Sequence, residues 1–454
     1  MDKKICIIGA GPCGMATLFH FSKLKQMPDV VCYEKQRTWG GLWNFSWRTG
    51  IDEHGEPCPN GMYKNLWSNT IKEMMEFPDY TFETHFGKTT PSYMPRSAMR
   101  DYLEGHWTKG ACTNLKKFIE FNTAVRYVKF NDDENNFIVT VNDHNTGETR
   151  EEIFSHVVVA TGIFNTPNTP EIKGIGEFHG RILHAHDFRD AREFTGKRVL
   201  LIGAGYSGED LALQLLKYNT ERVILSHRTN PKSSTCFMPD GIEERPQVDR
   251  FDTTKVHFID KTFADIDAVI FCTGYINHFP FLESRFRIDE KTHFYPAGLY
   301  KAALYIKAGN NKLFYVGVQD QFYSFHLFEV LTNWTVKYIM GQLEEEPRSK
   351  EEMETDAKDW HSRCEAIRSE NDMLEVQSDL VDHLANLGGY TKDIMKTVPY
   401  FRGWIQDRKE KDTGLANYRD MCYANIHSGI MAPKQTPFME NYDDSIEAYL
   451  KFGV

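Results

Sequence analysis

Two Gly-x-Gly-x-x-Gly turns carry the most specific chemistry in this chain. Gly9-Ala10-Gly11-Pro12-Cys13-Gly14 follows the apolar run Lys4–Ile8, and Gly203-Ala204-Gly205-Tyr206-Ser207-Gly208 follows Arg198–Ile202. In each turn the first glycine permits a tight bend and the second lets the backbone approach a diphosphate. The third lets the following helix pack closely on the strand. That helix points its positive N-terminal end at the anion. At the end of the next apolar run the copies differ: Glu34 follows Gly9 at the separation at which Arg228 follows Gly203. A carboxylate there accepts hydrogen bonds from two ribose hydroxyls. A guanidinium there holds a 2′-phosphate, and Thr229 adds a hydroxyl. The turns therefore predict two different dinucleotides in one chain, with an acid-paired FAD or NAD at Glu34 and NADPH at Arg228. The competing reading of Arg228 is a solvated arginine after a strand.

The elements that must position these residues follow from periodicity and punctuation. A strand–turn–helix–strand unit spans 4–34. Gly40-Gly41-Leu42-Trp43 comes next, a loop whose glycines let it pass close to a ligand. Residues 43–96 are rich in aromatics, proline and glycine and read as an irregular functional excursion. A helix is predicted over 100–110, paired strands over 121–128 and 137–141, and a buried strand over 156–162. Pro167 and Pro170 mark a crossing into a second unit that closes with a strand over 268–275. A strand over 312–318 and a helix over 322–340 return the chain to the first unit. The fold class is α/β with two Rossmann-like domains, a larger FAD domain interrupted by a smaller NADPH domain. Its boundaries are 1–170, 171–279 and 280–454. The segment 345–372, entered through Glu344-Glu345-Glu346, reads as a solvated surface helix.

Composition narrows the function. With 454 residues, 41% apolar and 26% charged, the chain has the make-up of a soluble multidomain enzyme. A net charge of −11 with no compensating basic block argues against nucleic acid. No apolar run approaches the roughly 20 residues that span a bilayer. The chain enters a strand directly after Met1-Asp2-Lys3, so a cytoplasmic protein without a signal peptide is expected. The nine cysteines contain no C-x-x-C pair, which leaves no redox dithiol and no zinc ribbon. Cys13 reads as a small filler inside the first turn. His184 and His186 lack a third ligand at suitable spacing, so no metal is expected and both read as structural.

Between the two turns stands Phe178-His179-Gly180-Arg181-Ile182-Leu183-His184-Ala185-His186-Asp187-Phe188. This matches the F-x-G-x-x-x-H-x-x-x-F identifying sequence of the flavin-containing monooxygenases, which the chain resembles over nearly its whole length. Phe77-Pro78-Asp79-Tyr80, Tyr93-Met94-Pro95-Arg96 and Cys272-Thr273-Gly274-Tyr275 also look like family segments. The resemblance is closest to the short bacterial members that oxidise trimethylamine. It is carried there by Trp67-Ser68-Asn69, Tyr206-Ser207, Gln319-Asp320-Gln321, Met431-Ala432-Pro433-Lys434 and Asp443-Asp444-Ser445. Phe188-Arg189 departs from the Trp followed by Pro or Asp that the related Baeyer–Villiger group carries.

The resemblance implies that NADPH reduces FAD and that O2 adds to give a C4a-hydroperoxyflavin. A soft nucleophile then takes the distal oxygen: a small methylated amine such as trimethylamine, with sulfides second. A homodimer is also implied. Gln36, Leu42, Trp43 and Val125 would line the FAD site with Gly9, Gly11, Cys13, Gly14 and Glu34. Gly203, Gly205, Tyr206, Ser207, Gly208, Arg228 and Thr229 would hold NADPH. Asn69 would be the catalytic hydrogen-bonding amide beside flavin and NADP+, with a loop cap as its alternative role. Gln319 and Asp320 would sit at the flavin end of the 312–318 strand. Tyr206, Phe322 and Tyr323 would wall the substrate pocket, where close relatives carry Trp at position 322. Arg419 matches an arginine used near NADP, an ion pair being its alternative. Trp43, Trp47, Tyr63, Trp67 and Tyr80 would form an apolar cage. The reading from another class is a non-catalytic NADP-binding sensor on the same fold.

Overall fold

The computed structural model describes residues 3–77, 79–109, 113–228, 238–288, 294–320, 322–344, 349–390, 394–410 and 415–454. The first glycine unit runs β1 (Lys4–Ile8), α1 (Pro12–Ser22) and β2 (Asp29–Tyr33). β1 is apolar and buried from Ile5 onward, as a central parallel strand must be. Pro12 opens α1 in its first turn, where a missing amide hydrogen costs nothing. The aromatic excursion holds the short helices α2 (Lys72–Met75) and α3 (Phe82–Phe86), and α4 (Arg96–Lys109) closes it. α4 starts a turn earlier than its pattern suggests, because Arg96 and Ser97 anchor that turn on Asp444.

After β3 (Ile119–Glu120), a hairpin of β4 (Thr123–Asn131) and β5 (Asn136–Asp143) extends beyond the strands read from sequence. β6 (Thr149–Phe154) adds a third strand that sequence reading missed, its charged, half-exposed residues masking any apolar alternation. β7 (His156–Val159) then lies parallel to β1.

The chain crosses at β8 (Thr166–Pro167) into the second unit. There β9 (Arg181–His184), β10 (Arg198–Ile202), α5 (Tyr206–Lys217), β11 (Arg222–Ser226) and β12 (Ile242–Arg245) follow in order. A small antiparallel sheet of β13 (Val248–Phe251), β14 (Lys255–Phe258) and β15 (Phe263–Asp265) precedes β16 (Ala268–Phe271). β17 (Tyr275–Ile276) pairs with β8, so the chain leaves and re-enters through one two-stranded ribbon. β18 (Leu299–Tyr300), β19 (Leu304–Tyr305) and β20 (Leu313–Tyr315) complete the first sheet, and α6 (Phe325–Met340) packs on α1.

The two larger sheets among the described residues run β18-β19-β20-β7-β1-β2-β3 and β12-β11-β10-β16-β9. In each, the strand before the glycine turn is flanked on both sides by parallel partners: β2 and β7 around β1, β11 and β16 around β10. Each turn thus opens at the carboxyl end of a central strand, the ligand-binding edge of a doubly wound sheet.

The C-terminal part holds α7 (Lys350–Glu365), α8 (Glu370–Leu387), α9 (Val398–Asp407) and α10 (Ile446–Leu450). Capping boxes at Ser349–Glu352 and Ser369–Asp372 fix the starts of α7 and α8. α7 corrects the expectation of a solvated helix: it buries Met353, Ala357, Trp360 and Cys364 along one face. Among the described residues no helix is long and apolar enough to cross a membrane.

Candidate active site

The two glycine turns repeat each other at their first and third glycines. Gly9 has φ 99° and donates to the Tyr33 carbonyl at 2.8 Å; Gly203 has φ 109° and donates to the Ser226 carbonyl at 2.8 Å. A Cβ on Gly9 would stand 2.8 Å from the Ala160 carbonyl oxygen, and one on Gly203 would stand 2.5 Å from that of Cys272. At Gly14 and Gly208 a Cβ would collide with the carbonyls of Gly9 and Gly203. The middle glycines differ. Among the described residues nothing lies within 4 Å of a Cβ placed on Gly205, whereas one on Gly11 meets the Gly41 Cα at 3.7 Å. The Gly40–Gly41 loop therefore covers the first turn, and Leu42 and Trp43 continue it as a 3-10 turn. Arg100 fastens this loop by donating to Asn44 Oδ1 at 2.8 Å and to the Trp39 carbonyl at 3.1 Å. Both turns fit a diphosphate: each sets a glycine bend at the start of a helix, and the second is exposed from Gly205 to Ser207.

Glu34 is buried beside the first turn. Its Oε2 accepts from the Ala10 amide at 2.7 Å and its Oε1 from the Gln36 amide at 2.9 Å. Burial pushes its carboxyl up, and these two donors oppose that shift. Each oxygen keeps a lone pair for a ribose hydroxyl. The Gln36 side chain reaches Asn60 at 3.4 Å, and half-buried Val125 sits where the β4–β5 register shifts. Cys13 is buried, and a Cβ on Gly317 would strike its sulfur. Burial also pushes its thiol up, so it packs rather than reacts. Arg228 is exposed just beyond β11, Ser207 is exposed in the first turn of α5, and Thr229 lies outside the described residues.

Asn69, Phe322 and Tyr206 are brought together by α9, an element the motif reading overlooked. Trp404 donates its indole N–H to the Asn69 carbonyl at 3.1 Å, and its ring lies 6.1 Å from that of Phe322. Arg408, fully buried, stands 4.8 Å from the Tyr206 ring and 4.8 Å from the Trp404 ring. It also pairs with Glu209 at 2.6 Å, in the first turn of α5. The available signal was Trp404 and Arg408 four residues apart, on one helix face. The Asn69 side chain accepts from the Thr70 hydroxyl at 3.1 Å. Tyr323 bonds Ser378 at 2.7 Å and packs on Phe401. Buried Gln319 donates its amide to the Ala302 carbonyl at 2.5 Å, and Asp320 beside it is exposed. Arg419 forms a buried ion pair, bonding Asp210 on α5 at 2.6 Å and the Ser68 carbonyl at 3.0 Å.

The five aromatics expected as one cage are dispersed. Trp47 is 75% exposed, Tyr63 bonds Asp210 and edges onto Phe188, and Tyr80 stacks on Tyr102. Trp67 is buried, and Trp43 packs 6.4 Å from Phe325. His184 is structural: its Nδ1 accepts from the His186 amide at 3.1 Å, and burial holds it down to about 4. A buried His20–Glu329–His106 cluster, at 2.9 and 3.4 Å, ties α1, α4 and α6 together and carries no sequence signal.

Comparison with known proteins bears on this geometry. The family model described as flavin-binding monooxygenase-like matches residues 2–233 and 230–398. The trimethylamine monooxygenase of Methylocella silvestris is 40% identical over 452 residues, covering 98% of both chains. That of Roseovarius nubinhibens is 41% identical over 99% of this chain and 100% of its own. The crystal structure of Tmm from Pelagibacter sp. strain HTCC7211 superposes with a TM-score of 0.92 at 39% identity, covering 98% of this chain and 100% of that one.

Proposed function

Because the chain belongs to the flavin-binding monooxygenase-like family, we propose that it N-oxygenates small tertiary amines, trimethylamine first, using FAD, NADPH and O2. FAD reduced by NADPH supplies the activation of O2, one oxygen atom going to the amine nitrogen and the other leaving as water. The observation that carries this reading is the pair of equivalent turns with opposite ribose-end residues, Glu34 and Arg228. The end of α9 ties the second turn, at Tyr206, to the loop of Asn69. In this reading, residues 1–170 and 280–454 form the FAD domain and 171–279 the NADPH domain, a division supported by sheet membership.

Glu34, Gln36, Leu42, Trp43 and Val125 hold FAD with the first turn and Cys13. Arg228 and Thr229 hold NADPH with the second turn and Ser207. Asn69 and Gln319 provide the amides that orient the reacting rings, and Arg419 keeps α5 beside Ser68 next to Asn69. Tyr206, Phe322 and Tyr323 wall the amine. A trimethylated nitrogen has no N–H to satisfy, so aromatic walls suit it and exclude water. The protein works as a cytoplasmic homodimer.

The test is stoichiometry in the purified yellow protein. NADPH oxidised, O2 consumed, N-oxide formed and H2O2 released are followed with trimethylamine, dimethyl sulfide or a cyclic ketone. One N-oxide per NADPH with little H2O2 is expected. Turnover only with the sulfide or the ketone would replace the substrate, and H2O2 alone would refute oxygen transfer. Light scattering on the same sample reports the dimer.

A further inference from the structure

The turn between β18 and β19 adopts a backbone that its sequence disfavours. Lys301 (φ 50°) and Ala302 (φ 59°) are consecutive non-glycine residues in the left-handed region, where asparagine and glycine are usual. Such a conformation persists only when its surroundings over-determine it, and it concentrates at functional sites. Here the surroundings are explicit. The Lys301 ammonium is buried and bonds Asp356 of α7 at 2.5 Å and His383 of α8 at 2.8 Å. The Ala302 amide donates to Tyr295 Oη at 3.0 Å, and Tyr295 stacks on Trp360 of α7.

The output of this turn is a single carbonyl. Ala302 O accepts one hydrogen of the Gln319 side-chain amide at 2.5 Å, which fixes which way that amide faces. Gln319 is 3% exposed, and its Oε1 has no hydrogen-bond partner among the described residues. A buried carbonyl oxygen left unpaired is costly unless a donor arrives from outside the chain. Gly317, two residues before it, lies against Cys13 of the first glycine turn. The strand end that carries Gln319 therefore lies against the first dinucleotide turn.

We propose that Lys301 is a positioning residue for the flavin site. By tying the strained turn to α7 and α8, it orients Gln319 so that Oε1 accepts from an N–H of bound cofactor. That donor is either the flavin ring or the nicotinamide carboxamide. The proposal rests on the reading that Gln319 belongs to the cofactor site. It also gives the charged C-terminal helices a task in the chemistry, although neither supplies a residue to it.

The test is a double-mutant cycle on the holoenzyme with Gln319→Leu and Lys301→Met, reading the oxidised flavin spectrum without NADP+, the KM for NADPH, and H2O2 released per NADPH. Each single variant should shift the same readout in the same direction, KM or uncoupling changing roughly three- to tenfold. Adding Lys301→Met to Gln319→Leu should change nothing further, and Lys301→Arg should restore most of the wild-type behaviour. A spectral shift without NADP+ supports the proposal with the flavin N–H as donor, and an effect confined to KM supports it with the carboxamide. If Gln319→Leu leaves all three readouts unchanged, the cofactor reading of Gln319 falls. If Gln319→Leu has its effect while Lys301→Met is silent or simply additive, that reading survives and the positioning role is overturned. Should Lys301→Met not fold, Asp356→Asn replaces it in the same cycle, and a silent or additive Asp356→Asn overturns the role equally.

Discussion

Glu34 and Arg228 end equivalent strands, yet their surroundings suit opposite ligands. Glu34 is enclosed, one oxygen accepting from the Ala10 amide of the first turn and the other from the Gln36 amide, so it shapes the cradle as well as offering acceptors to a ribose. Arg228 is exposed, as a guanidinium that meets a phosphate from solvent should be. Arg228→Ala should therefore raise the KM for NADPH roughly 10- to 100-fold, the worth of a charge-assisted contact, and leave bound flavin and the KM for NADH unchanged. Steady-state kinetics with both nucleotides decide it, and equal losses with NADH would refute the phosphate role. His184 titrates in the opposite context. Burial, helped by neighbouring His186, lowers it from 6.5 to about 4. The folded form then binds fewer protons than the unfolded chain in this window, so its contribution to stability is present above pH 6.5 and is lost as pH falls toward 4. Asparagine can still cap the His186 amide without titrating. The melting temperature of His184→Asn should fall less steeply than that of the wild type across that window, whereas parallel curves would contradict the assignment.

At the scale of elements, the proposed reaction centre depends on α9. Trp404 grips the backbone of Asn69 across 335 residues of sequence, and Arg408 presents a buried cation to the Tyr206 ring. Trp404→Phe keeps the ring beside Phe322 and removes only the indole donor. Losing one such hydrogen bond is worth about 1 kcal/mol, so the H2O2 released per NADPH should rise several-fold while flavin content holds. A coupling ratio equal to the wild type would free Asn69 from this support. The same contact explains what was legible in the sequence. Each glycine turn is legible from spacing alone, because the bend and the Gly14 contact with the Gly9 carbonyl are set within the turn, even though Gly9 faces Ala160 and Gly11 faces Gly41. Glu34 and Arg228 were legible because a fixed strand–helix–strand length delivers them. Trp404 and Arg408 were not, because nothing near them in sequence says which distant loop they meet. The face of α7 that reaches Lys301 was hidden for a similar reason, the charge of its outer side outweighing Met353, Ala357, Trp360 and Cys364 in any local reading. The cage of aromatics failed because an excess of rings in one stretch says nothing about where each points.

The whole molecule must hold two dinucleotide units at a fixed separation, and a two-stranded ribbon is a weak joint by itself. β8 and β17 are reinforced by Asn168, which donates from its backbone to Gly274 at 2.9 Å and from its side chain to Thr273 at 3.1 Å. Stronger fixation comes from the C-terminal segment, which wraps α5 with buried charge. Arg408 meets Glu209, Arg419 meets Asp210, and Lys217 donates to the carbonyls of Phe438 and Asn441. Buried pairs of this kind add little net stability when intact and cost much when halved, because the remaining charge has lost both its partner and its water. Arg419→Met should thus destabilise the chain by about 3 kcal/mol, with Asp210 left against Tyr63 alone among these contacts. Adding Asp210→Asn removes the stranded charge and should recover part of that loss. Denaturant unfolding of the two single variants and the double variant checks this. In the Arg419→Met protein, NADPH-dependent flavin reduction should slow more than flavin is lost, because the damage falls on the alignment of the two units rather than on either cradle. If reduction rate and flavin content decline together, the C-terminal wrap stabilises the fold without setting the geometry between the two sites.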